Sequence, residues 1–262
     1  MEFIETEINK FAPSSKPVFV DADSILYYSM PPVEEIELLS DEEGLERSLT
    51  AFLEIVKIIK EACNSSGKMT FFFSCARKDN YRLHFDESYK LNRSDQKRPR
   101  FVSALKFHVL KNYANAIECV NVEADDAVAY MHKHSDGNCI ICSPDKDVLG
   151  QLPGEHFDYR KQTIVETKAS SAERFLFLQM LAGDSTDGIK GLPKVGLKTA
   201  DKILSSSPSF DEVVALYEER GLTRLNARTT AYLVDISRIN RALLNTDISN
   251  RSFVMHTIDL IY

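Results

Sequence analysis

The 262-residue chain lacks several features that would assign it to a broad class at once. It has no run of about 20 apolar residues and no secretory leader pattern, so a cytoplasmic protein without a membrane span is expected. It has no internal repeat and no low-complexity tract, which gives no indication of a repeat array or a disordered chain. Its length and its 44% hydrophobic content predict one large domain, or one domain with a small appendage.

Cysteines are few and odd in number, at positions 63, 75, 119, 139 and 142. This pattern favours reduced thiols over a disulfide framework. The spacing of Cys139 and Cys142 suggests a zinc or redox motif, but no second ligand pair accompanies it. In a strand their side chains would face opposite sides, so a buried strand is the favoured interpretation. The six histidines show no metal-binding spacing.

Carboxylates, in contrast, occur in tight clusters at the ends of apolar segments. Four clusters are present: Asp21 and Asp23; Glu123, Asp125 and Asp126; Asp145 and Asp147; Asp184 and Asp187. Taken singly, each residue is more often a helix cap or a solvated loop residue. Like charges gathered in one place repel each other unless a cation is bound. The four clusters together therefore predict a divalent-metal site built from oxygen ligands.

Charge is distributed unevenly along the chain. The net charge of −7 argues weakly against a nucleic-acid partner, but the acidic clusters dominate that total and local charge matters more. Residues 76–100 contain eight basic and four acidic residues, with Tyr81, Phe85 and Tyr89 between them. Basic and aromatic residues of this kind are most often a solvated surface when taken singly. The segment is weakly apolar, and we expect it to be mobile.

Apolar runs alternate between strand-like and helix-like patterns up to residue 182. We expect strands at 17–20, 69–73, 117–120 and 138–142, a hairpin at 155–166, and helices at about 45–59, 102–114, 124–134 and 171–182. This alternation predicts an α/β fold with a mainly parallel central sheet flanked by helices. Asp21, Asp145 and Asp147 would lie at the carboxyl ends of strands, where open α/β sheets place their sites.

Three other segments carry simpler expectations. Residues 1–16 should be mobile or loosely packed, and residues 32–46 should form a solvated acidic face. After residue 183 the strand signals fade and short helices are expected.

The glycine-containing segment Gly191–Ala200 superficially resembles a phosphate-binding P-loop. Its spacing is wrong, because Leu197 separates Gly196 from the Lys-Thr pair, and it follows a helix in place of a strand. It is better interpreted as a hairpin between two helices. Backbone N–H groups near Gly196, with Lys194 and Lys198, could hold a DNA phosphate. An ordinary helix–helix turn is the alternative.

Taken in order, these motifs resemble the 5′-nuclease superfamily: flap endonucleases, the 5′-nuclease domain of bacterial DNA polymerase I, and phage 5′–3′ exonucleases. The similarity runs from about residue 17 to about residue 205, and the compact basic segment most resembles the small phage enzymes. The resemblance implies a PIN-like catalytic domain over residues 1–182, with a helical arch at about 76–100. It implies a helix-hairpin-helix subdomain and C-terminal segment over residues 183–262.

The resemblance also implies roles for individual residues. It places eight carboxylates at the metal site: Asp21, Glu123, Asp125, Asp126, Asp145, Asp147, Asp184 and Asp187. It makes Tyr89, Lys90 and Arg93 catalytic residues that engage the scissile phosphate. It assigns DNA binding to Arg82, Lys194, Gly196, Lys198 and Thr199.

One strand departs from the family pattern. Many relatives end the strand at Phe71–Phe73 with a further aspartate, whereas Ser74 and Cys75 follow here. The acid is therefore lost or relocated, and Asp79 is one candidate position. For Asp23, a helix-capping role stays open beside metal binding.

The expected function is metal-dependent hydrolysis of DNA from a 5′ end, a flap or a junction, in replication or repair. Two Mg²⁺ ions are expected, with Mn²⁺ able to substitute, because every ligand is a hard oxygen. The resemblance also allows action on RNA–DNA hybrids, a K⁺ ion at the hairpin and a monomeric state. A related carboxylate-metal RNase and a non-catalytic DNA-junction binding protein stay open as alternatives.

Overall fold

A mixed sheet lies at the centre of the structure, a computed structural model that describes residues 4–6, 10–93, 96–238, 245–247 and 252–254. Its strands are β1 (Ile4–Thr6), β2 (Val18–Asp21), β3 (Met69–Phe73), β4 (Ala116–Val120), β5 (Ile140–Cys142), β6 (Gly154–Asp158), β7 (Thr163–Thr167), β10 (Asn245–Asp247) and β11 (Ser252–Val254). A separate ladder pairs β8 (Gly183–Asp184) with β9 (Ile189–Lys190).

The α-helices of the described residues surround this sheet. They are α1 (Asp23–Tyr28), α2 (Val33–Ile36), α3 (Asp41–Cys63), α4 (Val102–Asn112), α5 (Ala124–His134), α6 (Lys146–Gln151), α7 (Ala169–Ala182), α8 (Leu197–Ile203), α9 (Phe210–Glu218) and α10 (Arg224–Val234). Short 3-10 helices occur at Arg77–Asp79, Tyr81–His84, Leu91–Arg93 and Ile236–Arg238. None of the helices in these described parts is both long enough and apolar enough to cross a membrane.

Six neighbouring strands run parallel at the centre of the sheet, in the order β6, β5, β2, β3, β4 and β11. β7 and β1 extend one edge in antiparallel orientation, and β10 extends the other. The chain runs from β2 to β3 and β4 on one side, then returns to β5 on the other side of β2. The carboxyl ends of β2 and β5 therefore form a topological switch point, and the predicted mainly parallel α/β fold is confirmed.

The central strands are apolar on both faces, because helices cover both sides of the sheet. Along β2, Val18 and Val20 enter one core with α3 and α4, whereas Phe19 enters a second core with α5. The period of two along a strand produces this division, and β3 follows the same alternation. Helices on both faces thus leave the strand ends as the place where polar side chains can gather.

A capping box begins helix α3, and a residue in the left-handed conformation ends it. The hydroxyl of Ser40 accepts the Glu43 backbone N–H at 3.2 Å, and the Glu43 carboxylate accepts the Ser40 N–H at 3.0 Å. These two bonds form a capping box. Asn64 ends the helix in the left-handed conformation, with φ 45°. The acidic side chains predicted to be solvated between residues 32 and 46 are exposed, as expected.

The cysteines follow the interpretation of a buried strand. All five thiols are free. Cys142 lies in β5, and its Sγ is 3.3 Å from Cys63 Sγ in the first core. Cys139 faces the second core. The two side chains of the Cys-x-x-Cys sequence therefore point to opposite sides of the sheet, and they do not form a joint ligand pair.

A third apolar core fills the space between α7, α8, α9 and α10. Its centre includes Leu181, Leu192, Ala200, Val213 and Ala231, all buried. This core is distinct from the two that flank the sheet, and it holds the hairpin segment before α8 against the end of α7.

Three expectations about packing are wrong. Within residues 1–16, Ile4–Thr6 pairs with β7 and Phe11 is buried against the first core. Strands do not fade after residue 183, because β8 pairs with β9 and β11 joins β4. The segment 76–93 is not weakly packed: Tyr81, Arg82 and Tyr89 are buried. Each error has one cause, since these residues pack against partners far away in the sequence.

Candidate metal centre

Asp21 lies at the switch point, where β2 ends between β3 and β5. The Ser143 hydroxyl, just after β5, donates to Asp21 Oδ2 at 2.9 Å. The Tyr159 hydroxyl donates to the Asp21 carbonyl at 2.8 Å. Burial raises the pKa of Asp21 to about 8, and the neighbouring carboxylates of Asp23 and Asp145 add to that increase. Asp21 is thus held rigidly in a position where ionisation is unfavourable without a cation.

Three acids begin helix α5. Glu123 is the N-cap residue, and Asp126 closes a capping box by accepting the Glu123 N–H at 3.0 Å. Oxygen atoms of Glu123, Asp125 and Asp126 lie within 4.8 Å of one another. Burial, followed by the charges of Asp126 and Glu123, raises the pKa of Asp125 well above its ordinary value. Local helix chemistry therefore brings three ligand oxygens together at one helix start.

Asp145 and Asp147 are placed by the start of α6. Asp145 is the N-cap residue, and its Oδ1 accepts the Asp147 N–H at 2.7 Å. Burial raises the pKa of Asp147 to about 7, and the charge of Asp145 contributes next. Asp145 is exposed, whereas Asp147 is half-buried. Asp145 lies close enough to Asp21 for its charge to contribute to the raised pKa of Asp21.

Asp184 ends β8, and Asp187 lies on the turn between β8 and β9. The two strands approach closely at Gly183, whose φ is +69°, and an added Cβ there would lie 2.4 Å from the Gly191 nitrogen. Lys146 pairs with Asp184 at 2.7 Å. Burial raises the pKa of Asp187, and the charge of Glu123 adds to that increase. The charge of Asp184 in turn contributes to the raised pKa of Asp147. Because Gly183 permits this close approach of the two strands, Asp184 and Asp187 can lie near the other acidic clusters.

The basic segment folds onto the acids. Lys90 Nζ lies 2.5 Å from Glu123 Oε1 and 3.5 Å from Asp187 Oδ2, and Arg93 pairs with Asp187. The Tyr89 hydroxyl donates to Glu123. Burial would raise the pKa of Glu123, but the Lys90 and Arg82 charges outweigh it and lower that pKa to about 2. All three predicted arch residues therefore meet the carboxylates in this structure.

Asp23 lies beside the end of β3, the strand that many relatives end with an aspartate. The backbone N–H of Ser74 donates to Asp23 Oδ1 at 3.1 Å, and the Ser74 hydroxyl accepts the Ala124 N–H at 2.9 Å. Asp23 is therefore tied to the strand end itself, beside the start of α5. Asp79 is exposed on the first 3-10 helix, and no described hydrogen bond or ion pair joins it to the acids. The suggestion that Asp79 replaces the missing acid is not supported.

Arg82 is placed differently from the other predicted DNA-binding residues. Its side chain is 1% exposed, and its guanidinium donates to both oxygens of Asp126, at 2.6 and 2.7 Å. Its Nε donates to the Leu233 carbonyl at 2.9 Å. These bonds leave no surface for a phosphate, so the structure corrects the predicted DNA contact of Arg82 to a buried ion pair. The pair also leaves Glu123 and Asp125 better placed than Asp126 as ligands.

The remaining predicted DNA-binding residues lie together on the hairpin before α8 and on the first turn of that helix. Lys194, Gly196, Lys198 and Thr199 are exposed. Gly196 is the N-cap residue of α8, and an added Cβ there would meet no atom within 4 Å. The backbone at this turn is therefore open to solvent.

The donor set fits a divalent cation. It consists of carboxylate oxygens, the hard ligands that Mg²⁺ and Mn²⁺ prefer. Burial raises the pKa of Asp21, Asp125 and Asp147, so these groups resist ionisation without a positive partner. Sequence reasoning missed two buried groups that hold the acids, Ser143 and Gln179. The sequence contains one indication of the role of Gln179, because Gln179 is a lone polar residue in the apolar run of α7.

A parallel α/β sheet with carboxylates gathered at its switch point defines a class of protein with an oxygen-liganded metal centre. The model of one family, 5′-3′ exonuclease, N-terminal resolvase-like domain, matches residues 16–175. A 5′-3′ exonuclease of Buchnera aphidicola (subsp. Schizaphis graminum) is 27% identical over 232 residues, 82% of this chain and 79% of that protein. Flap endonuclease Xni of Shewanella sediminis is 30% identical over 157 residues, 54% of this chain and 60% of that protein.

Solved structures share the fold. The T5 D15 protein co-crystallised with metal ions has a TM-score of 0.63 at 17% identity, covering 84% of this chain and 89% of that chain. The catalytic core of Rad2 in complex with DNA substrate has a TM-score of 0.54 at 13% identity, covering 98% and 87%. The chain belongs to the 5′-3′ exonuclease family defined by the resolvase-like N-terminal domain. The resemblance to the 5′-nuclease superfamily noted in the sequence is confirmed.

Proposed function

We propose that this protein is a metal-dependent nuclease that hydrolyses DNA phosphodiesters at a 5′ end or 5′ flap, in replication or repair. One observation carries the proposal: acids of four chain segments lie close enough for one to raise the pKa of the next, Asp145 that of Asp21, Asp184 that of Asp147 and Glu123 that of Asp187. Lys90 and Arg93 form ion pairs with these acids. The names of the relatives, 5′-3′ exonuclease and flap endonuclease Xni, support it. These bacterial relatives also support a cytoplasmic location.

The residues divide into groups with distinct tasks. Glu123 and Asp125 would hold one Mg²⁺, and Asp147 and Asp184 a second, with Asp21 between the groups; Mn²⁺ should substitute. Bound divalent ions supply a water of lowered pKa and stabilise charge on the leaving oxygen.

The basic residues act on the phosphate. Lys90 and Arg93 carry cationic groups that can exchange their carboxylate partners for the scissile phosphate, where they stabilise developing negative charge. Tyr89 holds Glu123 in place through its hydroxyl. Asp145, the N-cap residue of α6, keeps the backbone of Asp147 fixed.

The test of the proposal is a single incubation. A 5′-labelled duplex with a 5′ flap should be cut in Mg²⁺ and left intact in EDTA. Mn²⁺ in place of Mg²⁺ should also support cutting. Cleavage of single-stranded RNA in preference to the flap would favour a related RNase. Tight junction binding with no cleavage in either metal would favour a non-catalytic DNA-junction binding protein.

Further parts of the proposal concern the region after the catalytic sheet. We divide the chain into a catalytic domain, 1–182, and a helix-hairpin-helix subdomain with a C-terminal segment, 183–262. The third core supports this division, because most of its residues follow position 183 and pack together against α7. Lys194, Gly196, Lys198 and Thr199 would contact the duplex backbone without sequence preference, with a K⁺ ion at the turn. RNA–DNA hybrids are included as substrates, and the protein is proposed to act as a monomer.

Lys90→Ala should lower single-turnover cleavage more than it lowers DNA binding. The Lys90 charge is directed at the reacting phosphate, so its loss should cost about 10²–10³-fold in rate, while affinity changes by less than about fivefold. The measurement is single-turnover cleavage in Mg²⁺ beside fluorescence anisotropy in Ca²⁺. Lys78→Ala, an exposed lysine of the same segment, is the matched control and should change neither. Equal losses of rate and affinity would show that Lys90 only contacts the DNA backbone and does not act on the reacting phosphate.

A further inference from the structure

Two buried amide side chains connect Asp147 to the end of helix α10. Gln179 Nε2 donates to Asp147 Oδ1 at 2.6 Å. Gln151 Nε2 donates to Gln179 Oε1 at 2.6 Å and to the Val234 carbonyl at 2.7 Å. Gln151 Oε1 accepts the Ile236 N–H at 3.2 Å. Gln179 is 2% exposed and Gln151 is 7% exposed, so both amides depend on these partners.

The direction of every hydrogen bond in this chain is determined by its backbone end. The Ile236 N–H can only donate, so Gln151 must turn its oxygen towards it. The Gln151 NH₂ group then faces the Val234 carbonyl and the oxygen of Gln179. Gln179 is left with its NH₂ group towards Asp147, where it can only donate. The carboxylate of Asp147 therefore receives a donor whose orientation is set by the backbone after α10.

The sequence positions suit this arrangement. Asp147 and Gln151 are four residues apart on the short helix α6, so both side chains lie on the face that packs against α7. Gln179 lies in α7 between buried apolar neighbours such as Leu178 and Met180. An unpaired amide in that position would be strongly unfavourable, and the oxygen and the nitrogen of each amide have a hydrogen-bond partner here.

We propose that Gln179 and Gln151 are positioning residues that orient the Asp147 carboxylate for metal binding and tie it to the helical unit ending at Val234. Gln179 donates to Oδ1, which would leave Oδ2 available to a cation. Hydrogen bonds from outer groups to metal ligands typically change metal affinity by about 10–100-fold. This inference rests on the proposed function, since it concerns the same metal site.

The test is Gln179→Met in the full chain. Methionine keeps the length and lacks a strong donor, so the carboxylate loses its fixed orientation. We expect Mn²⁺ affinity without DNA, followed by electron paramagnetic resonance, to fall about 10–100-fold. The Mg²⁺ concentration for half-maximal cleavage should rise by a similar factor, whereas the rate at saturating Mg²⁺ should stay within about threefold. Gln151→Met should shift both metal readouts in the same direction.

Controls separate positioning from a general effect on folding. Gln162→Met, on the exposed turn between β6 and β7, should leave both metal readouts unchanged. A Gln179→Met protein that unfolds more easily but binds Mn²⁺ as the wild type does would overturn the proposal; if that variant does not fold, an unchanged Mn²⁺ affinity in folded Gln151→Met would also overturn it. Failure of the wild type to bind Mn²⁺ would count against the proposed function instead.

Discussion

Asp147→Asn should abolish cleavage while leaving DNA binding largely intact. Asparagine keeps the shape of the side chain and can still accept from Gln179, but it removes the negative charge that holds the cation. We expect the single-turnover rate in Mg²⁺ to fall by at least about 10³-fold, a barrier increase of about 4 kcal/mol. Flap binding in Ca²⁺, measured by anisotropy, should stay equal or become tighter, because a negative charge near the phosphates is gone.

Asp136→Asn provides the matched control for this substitution. Asp136 is exposed on a turn with φ 49°, a conformation that asparagine adopts readily, so the change alters charge and little else. Its rate and affinity should equal those of the wild type. If Asp147→Asn cleaved within about tenfold of wild type, a loss of only ~1.4 kcal/mol, Asp147 would have no place among the metal ligands.

The central sheet could be predicted from the sequence because its signals are local. Met69–Phe73 is a short run of apolar residues interrupted only by Thr70, and it forms β3 over those residues. The helix start at Glu123 combines a capping pattern with apolar spacing, and α5 follows at Ala124–His134. Strand-end carboxylates then meet because parallel strands end at one edge of the sheet. The order of the motifs was therefore enough to predict the fold and the location of the acids.

The partners of buried polar groups could not be predicted, because they lie far apart in the chain. Arg82 is in a basic segment that resembles an exposed DNA-binding surface, yet Asp126, 44 residues later, holds it in the interior. Strand β11 joins the sheet beside β4 although about half of the chain separates the two. Asp23 reaches the strand end at Ser74 across 51 residues. The composition of a segment and the spacing of its apolar residues predict its secondary structure, but they do not identify the distant segment that neutralises its charges.

Arg82→Met should be the most destabilising single change outside the apolar cores. Asp126 is 0% exposed, and both of its oxygens are paired to the Arg82 guanidinium. Removing Arg82 leaves the buried Asp126 charge without its cationic partner, which typically costs about 3–5 kcal/mol of the free energy of unfolding. The measurement is urea unfolding at pH 7. Arg224→Met, which removes the exposed ion pair to Asp211, is the matched control and should cost less than about 1 kcal/mol.

The charge explanation has a signature that a simple loss of packing lacks. In Arg82→Met, burial should raise the folded-state pKa of Asp126 above its unfolded value of about 3.9, so the folded state binds the proton more tightly. Stability relative to wild type should then fall as pH rises above about 4 and recover as pH is lowered. The double variant Arg82→Met/Asp126→Leu removes both charges and should regain most of the lost stability at pH 7. If the single and double variants were equally unstable at every pH, the Arg82 side chain would stabilise the site by its packing and its bond to the Leu233 carbonyl, not by neutralising Asp126.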